Sequence, residues 1–277
     1  MSYRTVLVAG LVPLAASTLV AQSLPRSQPA IINIYREIEK PNHAVAHEAT
    51  EERWADFNRR SGYPTSYFGL VAASGVPEIW LISSFQNMEG FGKSLSFEAR
   101  PGYNQGLARI QTEDAEHVAS FTSMQARAVR EASHGLFPDL SKQRIYSVMT
   151  IRIKPGYEAA FAEIAGHYKM AAGTSEVAGW RVYEVIAGAP GGTYLILTSF
   201  SSWEAVDAND AEWGKVMSGA GPHMQAAGKL AKDAIESTEV RYFTINPRIS
   251  MVPKEIIAAD RFWDPKAAPA PVKKPVP

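Results

Sequence analysis

A long segment of this chain occurs twice. Residues 144–202 read as a strand, a Lys-Pro-Gly turn, an amphipathic helix and two short apolar strands joined by a Gly-rich turn, and residues 31–87 follow the same plan. Lys40-Pro41 and Lys154-Pro155 are 114 residues apart, and Ser84-Phe85 and Ser199-Phe200 are 115 apart. Ser123 and Ser237, each opening a strand-like run, are again 114 apart. A period this long indicates a duplicated domain rather than an array of short repeats.

Apolar periodicity and turn residues predict the same elements in both copies. In the first copy these are strands at 31–39, 67–73, 78–85 and 124–131, with helices at 43–59 and 103–121 and a short helix after Asn87. In the second copy they are strands before Lys154 and at 180–187, 193–200 and 238–245, with a helix after Pro155, a short helix after Ser202 and a helix at 223–235. Each copy therefore has the order βαββαβ, which is typical of ferredoxin-like domains. We expect an α+β fold in which the two tandem domains bury their bare sheet faces against each other.

The two ends of the chain predict export and a flexible tail. The first 23 residues are typical of a secretory signal. They contain a basic residue, Arg4, then an apolar run at 6–20 that is short for a membrane anchor, and small residues at Ala21 and Ser23. The predicted divisions are a signal peptide at 1–23, a linker at 24–30, domains at 31–135 and 145–250 with a linker at 136–144, an extension at 251–265 and a disordered Pro/Ala/Lys tail at 266–277. We therefore expect a periplasmic or secreted protein without a membrane span in its mature form.

The composition narrows the choice of partners. The chain has 28 basic and 28 acidic residues, so it has no net charge with which to attract nucleic acid as a general partner. It has no cysteine, so the mature protein depends on core packing rather than on disulfides. A small-molecule ligand is the partner that we predict, and association into homo-oligomers stays open.

The two copies differ most in their first helix. His43, His47, Thr50, Trp54 and Phe57 follow helical spacing in the first copy and align with Tyr157, Phe161, Ile164, Tyr168 and Ala171 in the second. Two histidines thus occupy positions at which the other copy has aromatic core residues. We predict that the first copy is the active half, that His43 and His47 are its catalytic residues, and that its ligand-binding residues are Trp54, Asn33, Tyr35, Glu37 and Glu51.

Three roles stay open for the histidine pair. His43 and His47 are four residues apart on one helical face, with Glu51 a further turn along. Such a set can share a divalent metal, form a polar edge of the core, or exchange protons with a ligand in a cavity. The sequence assigns no metal ligand and requires no cofactor, although either haem or a divalent metal is compatible with it.

The run Ser84-Phe85-Gln86-Asn87-Met88-Glu89, echoed as Ser199-Phe200-Ser201-Ser202-Trp203-Glu204, resembles the dimeric α+β barrel superfamily. That group includes antibiotic-biosynthesis-type and haem-degrading monooxygenases and the internally duplicated chlorite dismutase-like haem proteins. The resemblance implies an intrachain dimeric α+β barrel that binds or turns over a small, largely apolar ligand, in a monooxygenase-like reaction. The monooxygenases use an Asn on the first strand, a Trp at the end of the third and a His on the next helix. Here Asn33 lies on the first strand, whereas Phe85 and Phe200 occupy the Trp position.

Two alternative functions follow from the same features. The resemblance to chlorite dismutase-like proteins implies a haem-binding pseudo-dimer, for which His117, His167 and His223 are the candidate ligands. The Pro-rich tail favours a non-catalytic structural or interaction protein at the cell surface. An internal cavity beside His47 would count against that last alternative.

Overall fold

Each copy of the repeat folds into a four-stranded antiparallel sheet in the computed structural model, which describes residues 24–266. The strands are β1 (Ile31–Glu39), β2 (Tyr67–Ala72), β3 (Glu78–Phe85), β4 (Val118–Ala128), β5 (Ile145–Ile153), β6 (Trp180–Ala187), β7 (Thr193–Phe200) and β8 (Ile235–Ile245). The helices are α1 (Ala44–Ser61), α2 (Met88–Glu98), α3 (Pro101–Ala115), α4 (Glu158–Ala172), α5 (Trp203–Gly219), α6 (Gly221–Ala234) and α7 (Lys254–Ala259). The predicted signal peptide and the tail from residue 267 onward lie outside the described residues.

The two sheets close into one eight-stranded barrel. The strand order is β1-β3-β2-β8-β5-β7-β6-β4, with β4 pairing back onto β1. Within each half the order is the ferredoxin-like one, β4-β1-β3-β2 and β8-β5-β7-β6. The halves join at two seams, where Leu70 pairs with Ile245 and Ala128 pairs with Tyr183. The predicted α+β fold, with two βαββαβ modules forming an intrachain barrel, is confirmed.

Alternation along the strands separates an interior core from an outer face. Ile32 and Ile34 of β1 lie in the barrel interior with Leu70, Val148 and Phe243, so both halves supply one core. The intervening residues of β1 point to the other face of the sheet, where α1 and α3 cover it. Those outward residues are Asn33, Tyr35, Glu37 and Glu39, and they place polar groups beneath the helices of the first half.

The closing strands begin earlier than predicted. Helix α3 ends at Ala115 and β4 runs over Val118–Ala128, so the predicted helix at 103–121 and strand at 124–131 are wrong at their shared boundary. The first residues of β4 lie where the strand is exposed on both faces, and the apolar alternation that marks a buried strand is missing there. The strand register also corrects one pair of equivalent residues that the sequence comparison used to define the repeat. Ile38 pairs with Ser120 and Arg152 with Ser237, so Ser120, not Ser123, is the equivalent of Ser237.

The extension at 251–265 folds back onto the barrel. Met251 forms a backbone bridge with Tyr67, and Trp263 is fully buried against Phe68, with ring centroids 5.4 Å apart. The Trp263 indole N–H donates to the Ser141 carbonyl at 2.7 Å, which ties the extension to the inter-domain linker. Within residues 24–266, no helix has both the length and the apolar character needed to cross a bilayer.

Candidate functional site

A buried histidine surrounded by carboxylates lies between β1 and α1. His47 is fully buried, and its Nδ1 lies 3.0 Å from Glu39 Oε1. Its Nε2 lies 3.1 Å from Glu37 Oε2 and 3.4 Å from Asp114 Oδ1. Glu51, one turn further along α1, is 2% exposed. We call these five residues, Glu37, Glu39, His47, Glu51 and Asp114, the floor cluster.

Regular secondary structure brings the floor cluster together. Glu37 and Glu39 are two residues apart on a strand, and His47 and Glu51 are four apart on a helix, so each pair shares a face. Asp114 comes from the last turn of α3, and its Oδ1 accepts a hydrogen bond from the Thr50 hydroxyl at 2.5 Å. Gly106 allows α3 to approach α1 closely, because a Cβ at this position would collide with the Phe57 ring.

The cluster has more acids than its one base can balance. Burial by itself would lower the pKa of the His47 imidazole, but hydrogen bonds to Glu37 and Glu39 and the charge of Asp114 outweigh it and raise the pKa to about 10. Burial raises the pKa of the Glu51 carboxyl well above its usual range, and the negative charges of Glu37 and Asp114 raise it further. Glu51 Oε1 has no hydrogen-bond partner among the described residues.

A cavity of about 210 Å³ lies directly above the floor cluster. Glu37 and Glu51 form part of its lining, whereas His47 lies behind them. Six of the described aromatic side chains contribute to its walls. The ring-bearing lining residues are Tyr35, Trp54, Tyr63, Tyr67, Tyr103 and Phe121.

Hydrogen bonds hold the tyrosines of the wall in place. The Tyr103 hydroxyl donates to Asn58 Oδ1 at 2.6 Å, and Asn58 Nδ2 donates to the Tyr67 hydroxyl at 3.1 Å. The Tyr63 hydroxyl donates to Glu98 Oε1 at 2.5 Å. Burial raises the pKa of Glu98, a further carboxyl in the lining. Since the polar ends of these rings are already bonded, the walls are preorganised around an apolar interior.

The cavity reaches the surface beside β4. Phe121 is 54% exposed and stacks on Tyr35, with ring centroids 5.7 Å apart. Asn104 and Gln111 of α3 also line the cavity and are exposed. A small molecule would therefore enter between α3 and β4, past Phe121.

The second half has an equivalent cavity of about 450 Å³, but its floor is apolar. The strand registers relate β1 to β5 with a spacing of 114 and β4 to β8 with a spacing of 117. The backbone N–H of Lys40 donates to the His117 carbonyl, and the backbone N–H of Lys154 donates to the Ala234 carbonyl. His117 and Ala234 are thus equivalent, so the spacing of 117 also applies where α3 and α6 end. Glu37, Glu39, His47, Glu51 and Asp114 of the first half therefore correspond, in this order, to Ile151, Ile153, Phe161, Ala165 and Ala231 of the second.

The predicted site residues fall into three groups. Four of the predicted ligand-binding residues line the first-half cavity: Tyr35, Glu37, Glu51 and Trp54. Asn33 is buried beside it and accepts a hydrogen bond from Gln125 Nε2 at 2.7 Å. The two histidines do not line the cavity: His47 belongs to the floor cluster beneath it, and His43 lies apart at the start of α1, with its Nδ1 2.9 Å from Nδ1 of His117. Their roles in binding and catalysis stay predictions.

Sequence reasoning missed Glu39 and Asp114. Glu39 follows Glu37 by two residues, a spacing that could have identified it from the strand prediction alone. Asp114 gave no such signal, because its contact with the cluster depends on how α3 packs across α1.

The described residues do not provide a haem site of the expected kind. The second-half cavity is large and apolar, but no histidine is among the described residues that line it. His167 and His223 lie against each other, with 3.4 Å between their Nδ1 atoms, and His117 contacts His43. None of the three candidate ligands thus stands alone over an apolar pocket.

Comparison with known proteins agrees with the fold. No family model matches the sequence, and no curated protein does so either. An anthrone oxidase-like protein has a TM-score of 0.56 and 11% identity over 79% of this chain and 92% of its own. A candidate monooxygenase from Fusobacterium nucleatum has a TM-score of 0.51 and 11% identity over 78% of this chain and 92% of its own. A chlorite dismutase from Candidatus Nitrospira defluvii has a TM-score of 0.47 and 8% identity over 86% and 97% of the respective chains.

The closed antiparallel barrel and its likeness to the first two of these structures define the fold class. The chain has the dimeric α+β barrel fold, with both modules in one polypeptide. Identities near one in ten carry no further information about what it binds.

Proposed function

We propose that this protein binds and turns over a small, largely apolar molecule in the first-half cavity, where the floor cluster receives the molecule's polar group. One observation supports this above all. Five buried positions are charged or ionisable in the first half and apolar in the second half of the same chain. Since the fold accepts Ile, Phe and Ala at these positions, folding does not explain the charged set, and such departures from core rules are typical of functional sites.

The cavity defines the chemistry of the ligand. A cavity of about 150 Å³ is enough to hold a benzene molecule, so 210 Å³ suits one or two fused rings. The aromatic walls favour a flat ring, and the Glu37 carboxyl together with Glu51 Oε1, which has no described partner, favours a group that donates a hydrogen bond, such as a hydroxyl. A ring compound with one hydroxyl group fits both requirements.

The proposed turnover is monooxygenase-like or isomerase-like. The first of these reaction classes is the one described for two proteins of similar fold, an anthrone oxidase-like protein and a candidate monooxygenase, whereas the ring compound as substrate class rests on the cavity alone. Glu37 and Glu51 are the floor residues in contact with the cavity. His47, our predicted catalytic residue, touches the carboxylates instead of the cavity, so in this proposal it fixes their position and charge.

Binding is tested with 2-naphthol and naphthalene as probes, measured by calorimetry in the presence of a chelator. Two matched variants fill one cavity each: Ser83→Phe in the first half and Thr198→Phe at the equivalent lining position in the second. We expect 2-naphthol to bind roughly 10- to 100-fold more tightly than naphthalene, because a hydrogen bond to a charged group contributes about 1.5 to 3 kcal/mol.

The two variants decide where the hydroxyl is recognised. The preference for 2-naphthol is expected to disappear in Ser83→Phe and to persist in Thr198→Phe. A preference that survives filling of the first-half cavity, or no preference in the natural chain, contradicts the proposal.

We also propose that the protein works in the periplasm or outside the cell, which rests on the signal-like segment at 1–23. Sequencing the N-terminus of protein purified from its source is expected to begin at Leu24. An N-terminus that retains the segment contradicts this proposal.

A further inference from the structure

Four side chains of the floor cluster converge on one point. Each of Glu37, His47, Glu51 and Asp114 offers one ligand atom, and these atoms all lie within 4.8 Å of one another. A bond length of about 2.0 to 2.2 Å puts two ligands of one ion at most about 4.4 Å apart. Small side-chain shifts would therefore bring all four onto a single cation.

The charges in this part of the structure call for a cation. Glu37, Glu39 and Asp114 have ion pairs with His47, and His47 is the cationic group in every ion pair described for them. One imidazolium can balance one of the four buried carboxylates, and each remaining charge is costly to bury without a partner. Glu51 is 2% exposed and contributes to the cavity lining, and its Oε1 is without a described hydrogen-bond partner. An oxygen atom in that position is suited to a metal ion.

Glu39, on the other side of the His47 imidazole, also favours a metal ion at this position. Its Oε1 lies 3.0 Å from His47 Nδ1, while His47 Nε2 faces Glu37 and Asp114. A proton held on Nδ1 by Glu39 leaves the Nε2 lone pair free to bind a metal ion. A carboxylate that orients a histidine in this way is a regular feature of metal sites.

We propose that Glu37, His47, Glu51 and Asp114 bind one divalent transition-metal ion, oriented by Glu39. One imidazole nitrogen and three carboxylate oxygens suit Mn²⁺, Fe²⁺ or Zn²⁺ better than Ca²⁺, which prefers six to eight oxygen ligands. Two of the four ligands, Glu37 and Glu51, line the first-half cavity, so the ion would meet the polar group of a bound molecule there. That role toward the ligand rests on the proposed function, whereas binding of the metal does not.

The second half provides an internal comparison. Ile151, Phe161, Ala165 and Ala231 replace the four ligands, so the same backbone arrangement has no metal-binding group in its place. The site is a property of the first half and not of the barrel as such.

The metal itself is the probe in the test. Full-length protein is stripped with a chelator and titrated by calorimetry with Mn²⁺ and with Zn²⁺, without organic ligand. We expect one ion per chain, with affinity at least 100-fold lower in the near-isosteric variants Asp114→Asn and Glu51→Gln and 10- to 100-fold lower in Glu39→Gln. The folding of each variant is checked by circular dichroism.

Two controls exclude other sites. The double variant His43→Gln/His117→Gln removes the other histidine pair of this half, and Glu113→Gln removes a half-exposed acid next to Asp114. Both are expected to bind the metal as the natural chain does. Absence of binding at millimolar metal, binding that persists in Asp114→Asn, or binding lost in the histidine double variant overturns the proposal.

The two proposals fail separately. Metal binding is measured without an organic ligand, and 2-naphthol binding is measured in chelator. If the metal titration fails while the hydroxyl preference persists, the floor cluster holds protons in place of a metal ion and the proposed function stands.

Discussion

At the scale of single residues, Glu51 is the most unusual group in the chain. It is a fully buried carboxyl on an α-helix, it faces a cavity, and one of its oxygens has no described partner. Glu37 and Asp114 raise its pKa by repulsion in addition to burial. In the metal-free protein its ionisation therefore works against folding.

The first prediction concerns Glu51→Gln in chelator. Because the folded-state pKa of Glu51 is raised, its contribution to stability is fully present below the ordinary value of 4.5 and is lost as the pH rises. An uncharged amide escapes this loss. We expect the variant to be more stable than the natural chain by about 1 to 3 kcal/mol near pH 8.5, with a much smaller difference near pH 5.

Urea denaturation at both pH values provides the measurement. Glu113→Gln is the control, since Glu113 is half-exposed and bonded to Arg53 and Arg109, which lower its pKa. An equal destabilisation of Glu51→Gln at both pH values would show that the carboxyl is needed for packing.

At the scale of elements, the contrast between the halves predicts that the floor cluster is retained at a cost in stability. In the second half, the positions equivalent to the four proposed metal ligands carry apolar side chains on the equivalent strand and helices. Replacing a buried ionic network by packed apolar residues is often neutral or stabilising, whereas removing one partner leaves buried charge without compensation.

The second prediction therefore compares two variants by chemical denaturation in chelator. His47→Phe alone is expected to lose about 3 to 5 kcal/mol, because it leaves the carboxylates without their imidazole. The quintuple variant carries Glu37→Ile, Glu39→Ile, His47→Phe, Glu51→Ala and Asp114→Ala. We expect it to be as stable as the natural chain and to lose the preference for 2-naphthol. A quintuple variant less stable than His47→Phe would mean that the first half cannot accept the floor of the second.

The third prediction concerns the C-terminal extension. Trp263 is buried against Phe68 and bonded to Ser141, so Trp263→Ala leaves a large cavity at the barrel. We expect a loss of about 3 to 5 kcal/mol of unfolding free energy. The matched control is Trp203→Ala, a half-exposed tryptophan, which is expected to cost far less. Equal losses for the two would show that the extension is not anchored by its tryptophan.

The sequence predicted the elements well where the two copies could be compared. The Lys-Pro turns and the Ser-Phe strand ends fixed β1 and β3 to the residue. The start of β4 was not predicted because its first residues are exposed and do not alternate. The positions of Tyr35, Glu37, Glu51 and Trp54 around one cavity follow from the regular spacing within one strand and one helix, whereas Asp114 reaches the cluster only through helix packing.

At the scale of the whole molecule, neither half has a complete core of its own. The interior cluster combines residues of all eight strands, and the seams β2–β8 and β4–β6 pair the edges that each half would otherwise expose. An unpaired apolar sheet edge tends to pair with another chain.

The fourth prediction follows from this. Fragments 24–143 and 144–266, expressed separately, are expected to self-associate or precipitate, and to form a soluble one-to-one complex when produced together. Size-exclusion chromatography with mass determination distinguishes these states. A first-half fragment that remains a soluble folded monomer would show that the barrel interface is dispensable.

The central claim is that the polar half of this duplicated barrel holds a ring compound above the floor cluster. Crystals soaked in 4-bromophenol test it most directly, because anomalous scattering locates the bromine atom without prior assumptions. We predict one bromine peak in the first-half cavity, among Tyr35, Trp54 and Tyr103, with the phenol oxygen toward Glu37 and Glu51. A bromine peak only in the apolar second-half cavity, or in neither cavity, would contradict the claim.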